Sequence, residues 1–256
     1  MAAMNRADRL HLILRLFTAE KPLWTVEEAA AALNVSLSTA YRQFGALVRS
    51  GLLDAVEGAR VYVLGPAVIE LDRNIRLSDP LITIATPAMK WLADQAQIPC
   101  TVLLCRLYRD RVMCIHQEER AGSAGSVSYE RGRPMPLSQG APSRTILAQL
   151  PARRLSGLMP ILQSEAAGNE AFQPEEFRAE LGRIRKQGYS ITRGEVDPGV
   201  VGVAVPLMTP LKGIVASLGV ACFGAPDDIG MIRGRALLVA TAETINGSVQ
   251  QLSADR

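Results

Sequence analysis

The beginning of the chain carries three helix signals in quick succession, and their spacing limits the fold more than any other feature of the sequence. Apolar residues recur at intervals of three and four between Leu10 and Phe17, which is the period of an amphipathic helix. Thr25, followed three residues later by Glu28, has the pattern of a capping box and predicts the start of a second helix. A third signal follows at once, so we expect a compact unit of three short helices.

The third helix is predicted over residues 37–49, with Ser36 as its N-cap and Gly51 as the residue that ends it. Its apolar stripe consists of Leu37, Ala40, Tyr41, Phe44, Leu47 and Val48. Two short apolar runs follow, at residues 52–56 and 61–64, and the four residues between them include a glycine, which favours a β-hairpin. Three helices and a hairpin are the layout of a winged helix-turn-helix.

The polar side of the third helix is a candidate DNA-reading surface. If the apolar stripe packs inward, Ser38, Thr39, Arg42 and Gln43 point outward near the start of the helix, where such helices meet base edges in the major groove. Arginines at the helix end and the hairpin tip would bind phosphate. The candidate DNA-binding residues are Ser36, Ser38, Thr39, Tyr41, Arg42, Gln43, Arg49 and Arg60. A winged helix that binds a protein partner remains an alternative, because residues 1–65 hold only seven basic against six acidic residues.

Composition excludes several classes of protein. At 48% hydrophobic residues the chain is too apolar to stay disordered, and no uncharged run approaches the ~20 residues that a membrane span needs. The N-terminal segment carries charges where a secretory signal has an apolar core, so we expect a cytoplasmic protein. The net charge of +3 neither requires nor opposes a nucleic-acid partner. Four cysteines without CxxC spacing predict buried reduced thiols, and two histidines offer little for a metal site, so we expect no metal or cofactor.

The second half of the chain has the pattern of an α+β domain. A helix is expected over residues 67–77 as a bridge, and Asp79 followed by Pro80 predicts the start of another. Strands are expected at 101–107, 112–117, 189–192, 200–207 and 214–222, with helices starting near residues 142, 174 and 227. The fold expected here is a mostly antiparallel sheet flanked by helices. The predicted organisation is a DNA-binding domain at residues 1–65, a linker helix at 66–79 and a second domain at 80–256.

A candidate anion site lies where the segment 137–143 leaves a strand and enters a helix with Pro142 in its first turn. A helix N-terminus presents free N–H groups and a partial positive charge. The N–H groups around Gly140 and Ala141, with the hydroxyl of Ser138 or Ser143, would hold a carboxylate. The alternative is that one of these serines only caps the helix.

An alternative to a regulator is an enzyme with a cysteine nucleophile. Cys114 and His116 alternate along one predicted strand, so they would share a face and resemble a Cys–His pair. Both lie in an apolar run where a buried structural histidine is the commoner outcome. The chain has neither a Gly-x-Ser-x-Gly elbow nor a phosphate-binding glycine loop, so we expect no catalytic activity.

Four segments of the chain resemble the IclR family of bacterial transcription regulators. They are VSLSTAYRQFGALVRSGLL with VYVLGPAVIEL, ERGRPMPLSQGAPSRTILAQLP, IRKQGYSITRGEVDPGVVGVAVPL and GIVASLGVACFG, in the order and spacing of that family. The resemblance implies a winged helix-turn-helix that binds palindromic promoter DNA and a linker helix used in dimerisation. It also implies a GAF-like C-terminal domain that binds a small organic acid, in a family whose members form dimers and tetramers.

The resemblance places the effector opposite Glu195 or Asp197, although these carboxylates could instead be ordinary surface residues at strand ends. Gly202 stands where many members have a cysteine, and Gly219 and Ala221 stand where two serines are common. These exchanges predict a wider, more apolar pocket for a larger carboxylate, such as an aromatic one. The candidate effector-binding residues are Ser138, Gly140, Ala141, Ser143, Glu195, Asp197, Gly202, Gly219 and Ala221.

Overall fold

The computed structural model describes residues 6–96, 98–120, 127–166, 172–207, 215–224 and 228–254. The chain divides into two compact units, Met1–Ser78 and Asp79–Arg256. Within the described residues, no helix is both long enough and apolar enough to cross a lipid bilayer.

The first unit is a winged helix-turn-helix, as predicted. Its elements are α1 (Arg6–Leu16), α2 (Val26–Leu33), α3 (Leu37–Arg49), β1 (Leu53–Ala55), β2 (Tyr62–Leu64) and α4 (Ala67–Ser78). The capping box predicted at the start of α2 is present in both directions, between Thr25 and Glu28. Trp24 forms an isolated antiparallel bridge to Tyr62, which ties the segment before α2 to the hairpin. The three helices and β1 bury one core that includes Ile13, Phe44 and Leu53.

A close approach of two glycines sets the start of α4. Gly51 ends α3 with a φ of +70°, a conformation that side chains disfavour. A Cβ on Gly65 would lie 2.2 Å from the Gly51 carbonyl oxygen, so this position accepts only glycine. The same carbonyl accepts a hydrogen bond from the Ala67 N–H at 3.1 Å, which attaches the first turn of α4 to the end of α3.

The second unit contains a six-stranded antiparallel sheet in the order β5-β4-β3-β8-β7-β6. Its strands are β3 (Cys100–Tyr108), β4 (Arg111–Glu119), β5 (Pro134–Met135), β6 (Ser190–Arg193), β7 (Val200–Leu207) and β8 (Ala216–Phe223). Its helices are α5 (Pro80–Gln95), α6 (Ala141–Gln149), α7 (Ala152–Glu165), α8 (Pro174–Gln187) and α9 (Asp228–Ala254). This confirms the α+β prediction, with α7 and β5 as elements that the sequence reasoning did not include.

Two hydrophobic cores lie on opposite faces of this sheet. One contains α5, α9 and inward residues such as Val102, Leu104 and Leu218. The other contains α6, α7, α8 and residues such as Leu103 and Ala221. Because successive residues of a strand point to opposite faces, each central strand contributes to both cores. The sheet therefore has two separate helix-covered faces, and the predicted anion site belongs to the face that carries α6.

Candidate functional site

The start of α3 carries a cluster of exposed hydroxyl groups. Ser36 is the N-cap, and its Oγ accepts a hydrogen bond from the Thr39 N–H at 3.4 Å and donates to Thr39 Oγ1 at 2.9 Å. The Oγ of Ser38 lies 3.3 Å from that of Ser36. Arg42 follows one turn later and is exposed. The first two turns of α3 thus present hydroxyls and a guanidinium to solvent, and these groups can donate to phosphates or base edges.

The buried stripe of α3 is rotated relative to the predicted one. Its buried residues are Ala40, Gln43, Phe44 and Leu47. Gln43 is only 3% exposed, so the prediction that it points outward is wrong, and its Oε1 has no hydrogen-bond partner among the described residues. Leu37 and Tyr41, which the sequence placed in the stripe, are each about half exposed. The reason is helical phase: residues at i, i+3, i+4 and i+7 share a face, and here that series starts at residue 40.

Tyr41 connects the exposed side of α3 to α2. Its hydroxyl donates to Glu27 Oε1 at 2.6 Å. This bond is the main cause that lowers the pKa of Glu27, and the positive charge of Arg60 lowers it further. The same bond raises the pKa of Tyr41. The positive charge of Arg60, at the hairpin tip, favours the ionised form of both side chains, and Arg49 is exposed at the far end of α3.

The start of α6 has the geometry of an anion-binding helix terminus. Gly140 is the N-cap with φ +84° and ψ 150°, a conformation open only to glycine. A Cβ there would lie 2.7 Å from Cε2 of the Tyr129 ring. The N–H of Gly140 already has a hydrogen-bond partner, because it donates to Glu195 Oε2 at 3.1 Å. An internal carboxylate therefore occupies the position that the sequence assigned to a bound one.

Arg144, which the sequence reasoning missed, holds that carboxylate. Its Nη2 lies 2.9 Å from Glu195 Oε1, and its Nη1 bonds to Glu180 on α8. Its Nε is buried and has no partner among the described residues. Arg144 lies in the first turn of α6, where the helix dipole disfavours a cation. That unfavourable placement is the sequence signal that could have identified it.

A small cavity separates the start of α6 from the sheet. Its volume is about 30 Å³, enough for one or two water molecules. Six of the candidate effector residues line it, namely Gly140, Ala141, Glu195, Asp197, Gly202 and Ala221. Asp197 closes one side, because its carboxylate accepts bonds from the N–H and the hydroxyl of Ser128 at 2.8 and 2.6 Å.

The structure does not bear out the expectation of a wider pocket. A Cβ on Gly202 would lie 3.6 Å from the Ala141 Cβ and 3.0 Å from Thr192 Oγ1. A Cβ on Gly219 would lie 3.5 Å from the ring of Pro142. The missing side chains therefore let α6 pack closely on the sheet, and the volume that they release is filled by the helix itself.

The two candidate serines are placed differently. Ser138 lines a polar cleft of about 460 Å³ on the far side of Glu195, together with Arg144, Arg183 and Phe177. Ser143 is fully buried, and its hydroxyl donates to the Pro136 carbonyl and contacts the Tyr129 hydroxyl at 2.7 Å. This hydroxyl is hydrogen-bonded within the protein, and Ser143 lines neither the small cavity nor the polar cleft.

Cys114 and His116 do not form a pair, and the prediction that they share a face is wrong. Cys114 is opposite Cys105 on β3, whereas His116 is opposite Leu104, with a register shift between them. Adjacent residues of β3 point to opposite faces, so this β-bulge sends the thiol and the imidazole to different cores. The His116 Nε2 instead lies 2.9 Å from Glu118 Oε1, and the Cys114 thiol donates to the His116 carbonyl.

The four cysteines form no disulfide, and within the described residues no group of histidine, cysteine or carboxylate side chains has the arrangement of a metal site.

Comparison with known proteins gives one consistent result. A family model described as bacterial transcriptional regulator IclR C-terminal matches residues 77–225, and a helix-turn-helix domain model matches residues 9–56. The HTH-type transcriptional regulator KipR of Bacillus subtilis is 23% identical over 215 residues, which cover 83% of this chain and 84% of the relative.

Solved structures share the fold. An IclR transcriptional regulator of Alicyclobacillus acidocaldarius superposes with a TM-score of 0.80 at 22% identity, covering 94% of this chain and 97% of that one. An IclR homologue of Microbacterium hydrocarbonoxydans, solved in complex with 4-hydroxybenzoate, has a TM-score of 0.69 at 18% identity and covers 95% and 98% of the two chains.

Proposed function

The chain belongs to the IclR family of bacterial transcriptional regulators, and we propose that it binds palindromic promoter DNA as a dimer and releases or engages it in response to a small aromatic carboxylate. It would act in the cytoplasm, where promoter DNA is. The observation that carries the DNA-binding part is the start of α3, where Ser36, Ser38, Thr39 and Arg42 present hydrogen-bonding groups on one exposed surface.

The contacts that α3 can make explain the need for a dimer. One helix entering a major groove reaches only a few base pairs, and helix-turn-helix dimers read two half-sites about one DNA turn apart. Tyr41, which is hydrogen-bonded to Glu27, and Arg60 at the hairpin tip would contact the phosphates beside the groove. A second copy of α3 doubles these contacts.

The linker helix α4 supplies a surface for that dimer. None of its residues is buried, and its apolar side chains Ile69, Leu71, Ile75 and Leu77 are all more than half exposed. Leu71 and Ile75 are four residues apart and so lie on one face. We expect Leu71→Glu with Ile75→Glu to give a monomer by light scattering, while Arg73→Glu on the opposite face leaves the mass unchanged. A dimer in the double variant would contradict this role of α4.

DNA binding is tested by footprinting on the region upstream of the chain's own gene. The expected result is two protected half-sites separated by about 10 base pairs, with an affinity that falls steeply as salt is raised. Equal affinity for a shuffled duplex, or no protection at any salt concentration, would favour a protein partner for the winged helix.

The effector would bind by displacing Glu195. The carboxylate of Glu195 lines both the small apolar cavity and the polar cleft, and it holds the Gly140 N–H and one side of Arg144. If it swings away, the two spaces join, and an incoming carboxylate finds the same N–H and the same guanidinium. The unpartnered Nε of Arg144 offers one further donor nearby.

An aromatic body requires the joined space, because the cavity beneath α6 alone, at about 30 Å³, holds one or two water molecules. The cavity beneath α6 is walled by Leu103, Val127, Val200 and other apolar side chains, with Gly202 and Ala221 contributing no polar group. A short oxoacid would leave its polar atoms unpaired there, at ~1–3 kcal/mol each. The 4-hydroxybenzoate held by the homologue from Microbacterium hydrocarbonoxydans supports the same class of ligand.

Coupling to DNA would pass through the start of α5. Asp79 caps this helix by accepting from the N–H groups of Leu81 and Ile82, and its other oxygen pairs with Arg106 on β3 at 2.6 Å. The chain leaving α4 is therefore fastened to the sheet that bears the effector site. A ligand changes DNA affinity if it binds the DNA-bound and DNA-free forms of the protein differently, and coupling of ~1–3 kcal/mol is typical of such linkage.

The ligand class is tested by thermal shift. Benzoate, 4-hydroxybenzoate and phenylacetate should raise the melting temperature, whereas glyoxylate and pyruvate should not. Stabilisation by the short oxoacids alone would overturn the proposal.

A further inference from the structure

The largely apolar cavity of the second unit lies on the opposite face of the sheet from α6. It has a volume of about 370 Å³ and is lined by residues of α5, α9 and the strands β3, β7 and β8. Its walls include Leu92, Val102, Val203, Val220, Met231 and Leu238. This volume is within the range of small-molecule sites and is about twelve times that of the cavity at Gly140.

Charge at the cavity has one sign. Arg233 and Arg235 of α9 line it, and no acidic side chain does so among the described lining residues. Arg235 is held in place, because its Nη1 donates to the Tyr189 hydroxyl at 2.8 Å and its guanidinium stacks 4.7 Å from the centre of that ring. A fixed cation beside apolar walls is complementary to an amphipathic anion.

The sheet side of the cavity carries two uncharged, polarisable thiols. Cys100 and Cys222 lie directly opposite each other on β3 and β8, and both line the cavity. Burial raises the pKa of both thiols, that of Cys222 to about 12. They therefore stay neutral at physiological pH and add polarisable apolar surface.

We propose that this cavity is a second ligand site, separate from the site at α6, for an amphipathic carboxylate with a medium-length apolar body such as a fatty acid. The carboxylate pairs with Arg235 and Arg233, and the hydrocarbon lies along the face of β3 and β8 towards Leu92 and Leu238. Since α9 and α5 cover the sheet here, the ligand would be held between the two helices.

Gly234 provides a clean way to close the site. It lines the cavity from α9, and a Cβ built on it meets nothing within 4 Å. Gly247 is on the same helix, also meets nothing within 4 Å, and does not line the cavity. Replacing a helical glycine generally favours the helix, so Gly234→Phe and Gly247→Phe form a matched pair.

Calorimetry with the full chain tests the proposal, with decanoate as the probe and decanol as its neutral counterpart. We expect decanoate to bind one per chain, Gly234→Phe to weaken it at least tenfold, and Gly247→Phe to leave it unchanged. Arg233→Gln with Arg235→Gln should reduce the preference for decanoate over decanol.

A measurement on the unmodified protein covers the case in which Gly234→Phe misfolds. The methyl resonance of Met231, assigned with Met231→Leu, should shift on adding decanoate, while those of Met135 and Met159 in the other core stay in place. Failure of decanoate to bind, equal binding by decanol, or an unshifted Met231 methyl would each overturn the proposal. So would a change of oligomeric mass in Gly234→Phe, because a second copy of the chain would then cover the cavity. None of these outcomes depends on DNA binding.

Discussion

Replacing Glu195 by glutamine should tighten effector binding, because this carboxylate is an internal competitor of the ligand. It accepts from the Gly140 N–H at 3.1 Å and pairs with Arg144 at 2.9 Å. Its side chain is 29% exposed and that of Arg144 18%, so solvent screens part of the interaction. A charge-assisted contact of this kind contributes up to ~1.5–3 kcal/mol when well buried, and we take about 1–2 kcal/mol for the two contacts together. That corresponds to roughly 5- to 30-fold tighter binding.

Glu180→Gln is the matched control. Glu180 bonds to the other nitrogen of the same guanidinium but does not touch Gly140. Its loss leaves Glu195 as the remaining carboxylate on Arg144 among the described residues. Arg144 then binds Glu195 more strongly, so we expect no increase in affinity for the effector.

Titration calorimetry with 4-hydroxybenzoate measures both variants against the unmodified chain. Binding that weakens tenfold in Glu195→Gln would show that Glu195 contacts the ligand itself. Equal changes in the two variants would show that only the charge of Arg144 matters. Either result would refute displacement.

Three further predictions concern stability and reactivity. Gly140→Ala should lower the free energy of unfolding by about 2–5 kcal/mol, because the backbone conformation suits only glycine and the Tyr129 ring blocks the added Cβ. The melting temperature should fall by roughly 5–15 °C. Gly157→Ala, where the added Cβ on α7 meets open space, should not lower the melting temperature, and a small shift in Gly140→Ala would contradict the geometry. Tyr41→Phe should lower Tm at neutral pH by an amount that shrinks in acid. The hydrogen bond lowers the pKa of Glu27 in the folded protein, so its stabilising effect is present above the pKa that Glu27 has in the unfolded chain. The effect is lost as the pH falls through the pKa of Glu27 in the folded protein. A pH-independent difference between pH 3 and 8 would argue against it. Since burial raises the pKa of Cys222 to about 12, iodoacetamide at pH 8 should label it ~1000-fold more slowly than an ordinary thiol, and mass spectrometry showing rapid labelling would contradict that burial.

Local features of the fold were predictable because they depend on neighbours in sequence. The capping box at Thr25 and the cap at Ser36 involve hydrogen bonds across three residues, and both are present. The bounds of α3 agree with the prediction for the same reason. The face of α3 that packs inward could not be predicted from neighbouring residues, because Leu37 and Tyr41 are apolar yet exposed, while polar Gln43 is buried.

Features that depend on distant residues could not be predicted. A β-bulge inserts one residue without any signature at Cys114 or His116, so counting alternation along the strand gave the wrong face. The bond from the Gly140 N–H to Glu195 joins residues 55 apart. The sequence predicts a bound anion at this helix terminus, and the fold places the carboxylate of Glu195 there.

The central claim is that the exposed start of α3 binds operator DNA, and fluorescence anisotropy with a duplex from the chain's own upstream region tests it most directly. The Thr39→Ala with Arg42→Ala double variant, folded as judged by its circular dichroism, should bind at least ~30-fold more weakly at fixed salt, because each base or phosphate contact of this kind contributes ~1–3 kcal/mol. Arg133→Ala, which removes one surface charge in the second unit, should bind as the unmodified chain does. Unchanged affinity in the double variant would contradict the account.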